Sequence, residues 1–491
     1  MKVPLLITVL CLAILAGCAV GPDYQPPQTS APPQWSSPLA NGETNAPANL
    51  AAWWKNFNDS YLDSLMDTAV RSNLTLRLAE ARVREARAER GVVAGNLGPS
   101  VGAEGAYSRN RYGANSFPPL AGFGVPLDYN LYNAAFDASW EIDIFGGTRR
   151  AVEAANAEIG AAQAGQRDVM VSLLAEVARD YISAHGYQQR LAITRQNIDV
   201  QEQVLELTTN RFANGLSSDL DVDQAKAVFN DTEAQVPSLE AGFAESVYHL
   251  AVLLGQQPGA LMDDMAADQP IPLTPPVVPA GLPSDLLQRR PDVQNAESEL
   301  AAATARIGEA KADFFPKFSL TGLAGVESVS ASDWFDYGSR YWSAGPTVQW
   351  QLFEAGRIRA NVHVQTARQE EALDTYQQTV LTALEDTENA LTAYAKEQVR
   401  RKSLSQSVEA NQQALDLATQ LYKSGLEDFL HVLDSERSLY SAQDALVQSD
   451  QTVSLDLVQL YKALGGGWQD VSVPPAQSPQ QSSIGSPVQK L

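Results

Sequence analysis

The chain has 491 residues, with 35 Lys and Arg against 58 Asp and Glu, a formal charge of −23, and 44% hydrophobic residues. That acidity excludes a general nucleic-acid binder, and the apolar content excludes a disordered acidic chain. Two cysteines and four histidines exclude a disulfide framework or a Cys/His metal cluster, and the length leaves an elongated unit, an internal duplication or several domains.

Met1 and Lys2 precede a 14-residue apolar run, Val3 to Ala16, too short for an ordinary transmembrane helix but suited to a signal-peptide core. Leu15-Ala16-Gly17-Cys18 resembles the lipobox of bacterial lipoproteins. The resemblance implies removal of residues 1–17 and acylation of Cys18, as S-diacylglycerol and N-palmitoyl. Ala19 in place of Asp implies sorting to the outer membrane. The plainer alternative is a secretory signal with a chance cysteine. No later apolar run suffices for a transmembrane helix. Residues 18–52, with prolines from Pro22 to Pro47, read as an anchored, extended tether.

Beyond the tether the chain is written twice. Asn210-Arg211-Phe212-Ala213-Asn214-Gly215-Leu216 returns as Gln420-Leu421-Tyr422-Lys423-Ser424-Gly425-Leu426, and Trp140 returns as Trp350, both at an offset of 210. Ala79-Glu80 and Pro99 return as Ala296-Glu297 and Pro316 at an offset of 217, so a loop changes length between two strands. The expected repeats are residues 53–264 and 284–468, joined by a Pro-rich linker, 265–283, and followed by a low-complexity tail, 469–491.

Each repeat opens with a helix, Leu74 to Asn96 capped by Asn73, or Asp292 to Asp313 after Pro291. Two strands follow. Phe136, Ala138, Trp140, Ile142 and Ile144 alternate in 131–144. Trp342, Ala344, Pro346, Val348, Trp350 and Leu352 alternate in 341–353, with Pro346 expected to bend or interrupt the pairing. Long helices come next, because no proline lies between Pro126 and Pro237 or between Pro346 and Pro474. The second pair is expected from about Gly356 to Ser424 and from about Glu427 to Leu464, and the first turns at Asn214-Gly215. Such a helix is roughly 100 Å long at about 1.5 Å per residue. Leu426, Leu433, Tyr440 and Val447 recur every seven residues, with Leu430, Leu457 and Leu464 on a neighbouring row, suggesting coiled-coil-like seams. Pro237 is expected to kink the first returning helix.

Four strands per chain cannot close a membrane barrel, because open edges are prohibitive in lipid and the smallest barrels need about eight strands. Spanning strands would therefore have to be shared between chains, as eight in a dimer or twelve in a trimer. A soluble sandwich with an attached helical hairpin is the competing architecture.

Cys18-Ala19-Val20-Gly21-Pro22-Asp23-Tyr24, Trp53-Trp54 with Phe57, Leu286-Leu287-Gln288-Arg289-Arg290-Pro291-Asp292-Val293, Ile307-Gly308, Phe315-Pro316 and the two Gly-Leu turns resemble the TolC-like outer membrane factors, in the NodT-type lipoprotein branch that serves RND-type efflux. The resemblance covers nearly the whole chain after Cys18, apart from the tail after Gly467. It implies a mainly α homotrimer, a twelve-stranded β-barrel continued by a twelve-helix periplasmic α-barrel. It also implies a passive exit duct docking with a periplasmic adaptor and an inner-membrane RND transporter. A type I protein-secretion duct is a close variant, and a non-conducting lipid-anchored periplasmic scaffold is the competing class.

No HExxH, P-loop or zinc spacing is present, His185, His249, His363 and His431 are scattered, and five methionines give no copper relay. Neither enzyme activity nor a cofactor is expected. In the family the helix turns close the duct, so the resemblance makes Asp221, Asp434, His431, Asp428, Arg211 and Tyr422 gate candidates. Gly215, Leu216, Gly425 and Leu426 become adaptor-docking candidates. Repeated around an axis, acids at a constriction attract cations. The alternative makes Asp219, Asp221, Asp223 and Asp428 ordinary first-turn residues favoured by the helix dipole.

Overall fold

The computed structural model describes residues 19–28, 32–36, 43–44, 50–113, 127–272 and 278–469. The signal segment, Cys18 and the tail from 470 lie outside the described residues. The elements are β1 (Glu43–Thr44), α1 (Ser60–Ser72), α2 (Leu74–Gly95), β2 (Ser100–Arg111), β3 (Asp128–Ile142), α3 (Gly147–Ala213), α4 (Asp219–Glu233) and α5 (Val236–Leu253). They continue as β4 (Val278–Pro279), α6 (Pro283–Arg289), α7 (Pro291–Ala312), β5 (Lys317–Ser328), β6 (Arg340–Gln349), α8 (Arg357–Lys423) and α9 (Phe429–Ala463). Two compact units emerge, one from residues 1–28, 83–162 and 295–377, the other from 29–82, 163–294 and 378–491.

The first unit holds a four-stranded antiparallel sheet in the order β2-β3-β5-β6. Cross-strand partners share a face, and neighbours in one strand alternate. Ala103, Phe136, Ala324 and Trp342 are successive partners, as are Trp140, Leu320 and Pro346. This face carries Val101, Tyr107, Phe136, Trp140, Leu320, Trp342 and Val348 as large exposed apolar side chains. The other face is polar: Ser100 pairs with Ser139 and Ser139 with Thr321, while Asn133 pairs with Glu327. Trp140 and Trp350 make equivalent bonds in the two halves, donating Nε1–H to the Leu97 and Phe314 carbonyls at 2.9 and 3.1 Å. Phe145 stacks on Phe315 with centroids 4.5 Å apart.

Pro346 does not interrupt the sheet. The register runs through it, with Pro346 opposite Leu320. The strands also lie earlier than expected, so Trp350 to Phe353 follow β6.

The segment after Cys18 is fastened within this unit. Val20 N–H donates to the Phe145 carbonyl at 3.0 Å. Arg150 reaches Asp23 at 2.6 Å and Glu153 at 2.7 Å, and the Tyr24 hydroxyl donates to Glu297 at 3.2 Å.

The second unit contains the main core. Trp53 stacks on Tyr461 at 5.1 Å, Asn56 donates to the Tyr461 hydroxyl at 2.9 Å, and Trp54, Phe57, Leu62, Met66, Leu174, Ile182 and Leu457 pack around them. Asn73 caps α2 by accepting from Leu76 N–H at 2.8 Å. Arg290 is buried between Asp292 (2.7 Å) and Asp386 (3.0 Å) and also donates to the Ala463 carbonyl at 3.1 Å. The helix returning after α3 is interrupted at Ala234-Gln235, both still right-handed helical, and Pro237 is the second residue of α5, where its absent N–H costs nothing.

Candidate functional site

The two helix turns share one backbone scheme. Gly215 and Gly425 sit at φ +71° and +74°, a conformation that favours glycine. Gly215 N–H donates to Phe212 and Leu216 N–H to Arg211, both at 2.9 Å; Gly425 donates to Tyr422 and Leu426 to Leu421, both at 3.0 Å. Leu216 and Leu426 are consequently displayed, 67% and 73% exposed.

The turns differ in how the next helix starts. Ser218 and Asp221 form a reciprocal capping box: Ser218 N–H donates to Asp221 Oδ2 at 3.0 Å, and Asp221 N–H to Ser218 Oγ at 3.3 Å. Ser217 Oγ adds a bond to the same carboxylate at 2.8 Å. Burial works to raise the Asp221 carboxyl, but the Ser218 N–H and the Ser217 and Ser218 hydroxyls outweigh it and hold it below the usual range. Asp221 is thus engaged within its own chain. Asp428 begins α9 with no side-chain cap bond. Glu427 instead faces His431, with Oε2 3.3 Å from Nε2 and both groups well exposed. Asp434 is exposed.

A small apolar cluster seats the turns: Ala225, Val228, Tyr422, Phe429, Val432 and Leu433, with Val204, Leu205 and Leu415 against it. Tyr422 meets Phe429 at 5.5 Å. The Arg211 guanidinium lies 4.5 Å over the Tyr422 ring and donates to the Tyr422 carbonyl at 3.4 Å, tying α3 to α8. Among the described residues, Arg211 Nε and the Tyr422 hydroxyl are buried with no hydrogen-bond partner.

The α9 seam runs through Phe429, Val432, Leu433, Glu436 and Leu439. Leu426 and Leu430 do not belong to it and are 73% and 51% exposed. Glu436 is a site residue that sequence reasoning missed. It is 4% exposed, and burial pushes its carboxyl up to about 7. Thr194 meets Tyr440 at 3.1 Å and Asn197 meets Gln443 at 3.2 Å. On α3, Gln201 Oε1 is likewise buried with no hydrogen-bond partner among the described residues. The only available signal was a carboxylate at a seam position.

His185 and His249 serve local packing: His185 Nδ1 meets Gln188 at 2.7 Å, and His249 contacts Asp180. His363 is exposed.

The sequence model of a family described as outer membrane efflux protein matches residues 65–256 and 282–466. The pyoverdine export outer membrane protein OpmQ of Pseudomonas aeruginosa is 36% identical over 463 residues, covering 94% of this chain and 96% of its own. The probable efflux pump outer membrane protein TtgC of Pseudomonas putida is 33% identical, covering 96% and 97%. The outer-membrane channel OprN superimposes with a TM-score of 0.85 at 36% identity, over 92% of this chain and 100% of its own.

Proposed function

Because this chain belongs to the outer membrane efflux protein family, we propose that it is the outer-membrane exit duct of a tripartite RND-type efflux pump. It passively conducts substrates handed over by a periplasmic adaptor and an inner-membrane RND transporter. The observation that carries this reading is the four-stranded sheet, apolar on one face, polar on the other, and ending in β2 and β6. Hydrocarbon does not tolerate such edges. Three copies bring twelve strands, and β6 of one copy meets β2 of the next antiparallel, which seals the rim. The apolar face, with Trp140 and Trp342 among its aromatics, then meets lipid as barrel exteriors do.

Below the barrel, α3 with α4 and α5, and α8 with α9, give each chain four lengths of helix and the trimer twelve. Two matches to one family model and two helices of 67 residues each, α3 and α8, support the reading of residues 53–264 and 284–468 as structural repeats. Cys18 carries the lipid. The contacts from Val20 to Tyr24 hold the chain that follows it close to the end of β3, so the acyl chains enter beside the barrel. At the turns, the Arg211–Tyr422 pair ties α3 to α8 and braces the closed end, with Asp434 and Asp428 presented there. Leu216 and Leu426 are the apolar tips that the adaptor grips.

The test is purification of the full chain from membranes. Heat-modifiable, detergent-resistant trimers with single-channel conductance in planar bilayers are expected. Single subunits without conductance refute the duct and leave a lipid-anchored scaffold.

A further inference from the structure

We propose that the outward face of the barrel binds the phosphate groups of outer-leaflet lipid, with Arg109, Arg111 and Arg340 as the binding residues at each seam between copies. The proposal rests on the closed trimeric barrel above, in which the apolar face of the sheet meets lipid.

The register places all three arginines on that apolar face and at one end of it. Arg340 pairs with Val326, in line with Ala134 and Gly105, two residues from Trp342. Arg109 pairs with Asn130 and Arg111 with Asp128, two and four residues beyond Tyr107. Asp128 is the one acid on this face of the four strands, so three arginines against one aspartate leave a net +2 on each chain. The opposite end of the face, with Val101, Trp140, Ile142 and Val348, carries no charge.

Two further observations set the depth of this end. The uncharged end leads into α3, and there Val20 N–H bonds to the Phe145 carbonyl just after β3. With Cys18 acylated, that end lies at the inner leaflet. The arginine end then reaches the outer leaflet, which in bacteria is built of a glycolipid bearing phosphate groups. An aromatic layer sits just beneath the arginines, with Tyr107 5.0 Å from Tyr132 and Tyr132 5.8 Å from Trp334. Amphipathic rings of this kind settle at headgroup depth. At about 3.4 Å per residue, Arg109 stands about 7 Å further along the strand than Tyr107, among phosphates instead of acyl chains.

The three guanidiniums are exposed and can take an anion. Arg340 lies 5.0 Å over the Tyr337 ring, and Arg111 meets Asp128 at 3.5 Å. Among the described residues, Arg109 and Arg340 have no ion pair within 4.0 Å. The planar fork of arginine matches two phosphate oxygens. β2 and β6 are the outermost strands of the sheet, and Arg111 and Arg340 stand at the same end of each. Sealing β6 of one copy against β2 of the next therefore gathers the arginines of two copies at each of three seams.

The experiment titrates full-length trimers in non-ionic detergent with diphosphoryl lipid A, with the same lipid stripped of phosphate, and with inorganic phosphate, and counts bound lipid by native mass spectrometry. A basic side chain near an anionic lipid surface is worth about fivefold in affinity. Three arginines offset by one aspartate predict at least about tenfold tighter binding of the phosphorylated lipid, a preference that R109Q/R111Q/R340Q removes. Equal binding of the two lipids by the wild type, or undiminished preference in the variant, overturns the proposal. Displacement of the lipid by an equal concentration of inorganic phosphate assigns the arginines to a free anion and overturns it too. Should the triple variant fail to form trimers, Arg109→Gln and Arg340→Gln singly must each weaken the preference at least about twofold, and unchanged preference in both overturns it. A wild-type chain that yields no trimers overturns the barrel reading itself, which separates the two failures.

Discussion

Glu436→Gln is expected to stabilise the packing of α9 at neutral pH and to abolish its pH dependence. The Glu436 side chain lies in the seam between Leu433 and Leu439, and no ion pair offsets its burial among the described residues. Its carboxyl moves from an ordinary 4.5 to about 7. At about 1.4 kcal/mol per pKa unit, keeping it charged costs the folded hairpin about 3 kcal/mol. Because the folded value lies above the unfolded one, the stability is fully present below about pH 4.5 and is lost as pH rises through 7. Glutamine keeps the shape of this side chain without the charge. The assay is hydrogen exchange of the amides of 429–440 between pH 5 and 8, corrected for intrinsic rates. Wild-type opening should become about 100-fold more frequent across that range, while the variant stays flat at the low-pH protection. Equal pH slopes in the two proteins refute the reasoning.

Tyr422→Ala removes the ring that Phe429 and Arg211 share, at a cost of about 3 kcal/mol, and should raise single-channel conductance. Tyr422→Phe keeps the stacking and should change conductance far less; unchanged currents in Tyr422→Ala remove this residue from the gate. Ser218→Ala breaks the capping box, costs about 1 kcal/mol and should speed exchange at 219–222 about fivefold, and unaltered protection there contradicts the capping assignment.

Much of this architecture is legible in the sequence because local chemistry dictates it. Gly215 and Gly425 mark the turns, Asn73 and Pro291 mark helix starts, and every-second-residue aromatics mark the strands. Other features depend on partners that a sequence does not name. Seven-residue spacing places Leu426 and Leu433 on one row, yet Leu433 is buried while Leu426 is exposed, because the seam takes in Phe429 and Val432 beside Leu433. Glu436 resembles a polar interruption of that row until its neighbours are known. Pro346 suggests a bent or broken strand, but the β5–β6 register continues through it. The Arg211–Tyr422 pair, 211 positions apart, was expected at the gate only through the family resemblance.

The two hairpins share a turn geometry but not a chemistry. At the first turn, Asp221 is saturated by Ser217 and Ser218, so its charge is committed to holding α4 in place. At the second, Asp428 makes no cap bond, Glu427 meets the exposed His431, and Glu436 is buried with no ion pair among the described residues. The charged groups at the start of α9 are therefore less tied down than Asp221 at the start of α4. The second turn, which lacks the capping box of the first, is therefore expected to open more often. Faster hydrogen exchange across 426–440 than across 216–230 in the unmodified trimer is the expected result. The reverse order would assign the moving part to the capped hairpin and undo the inference.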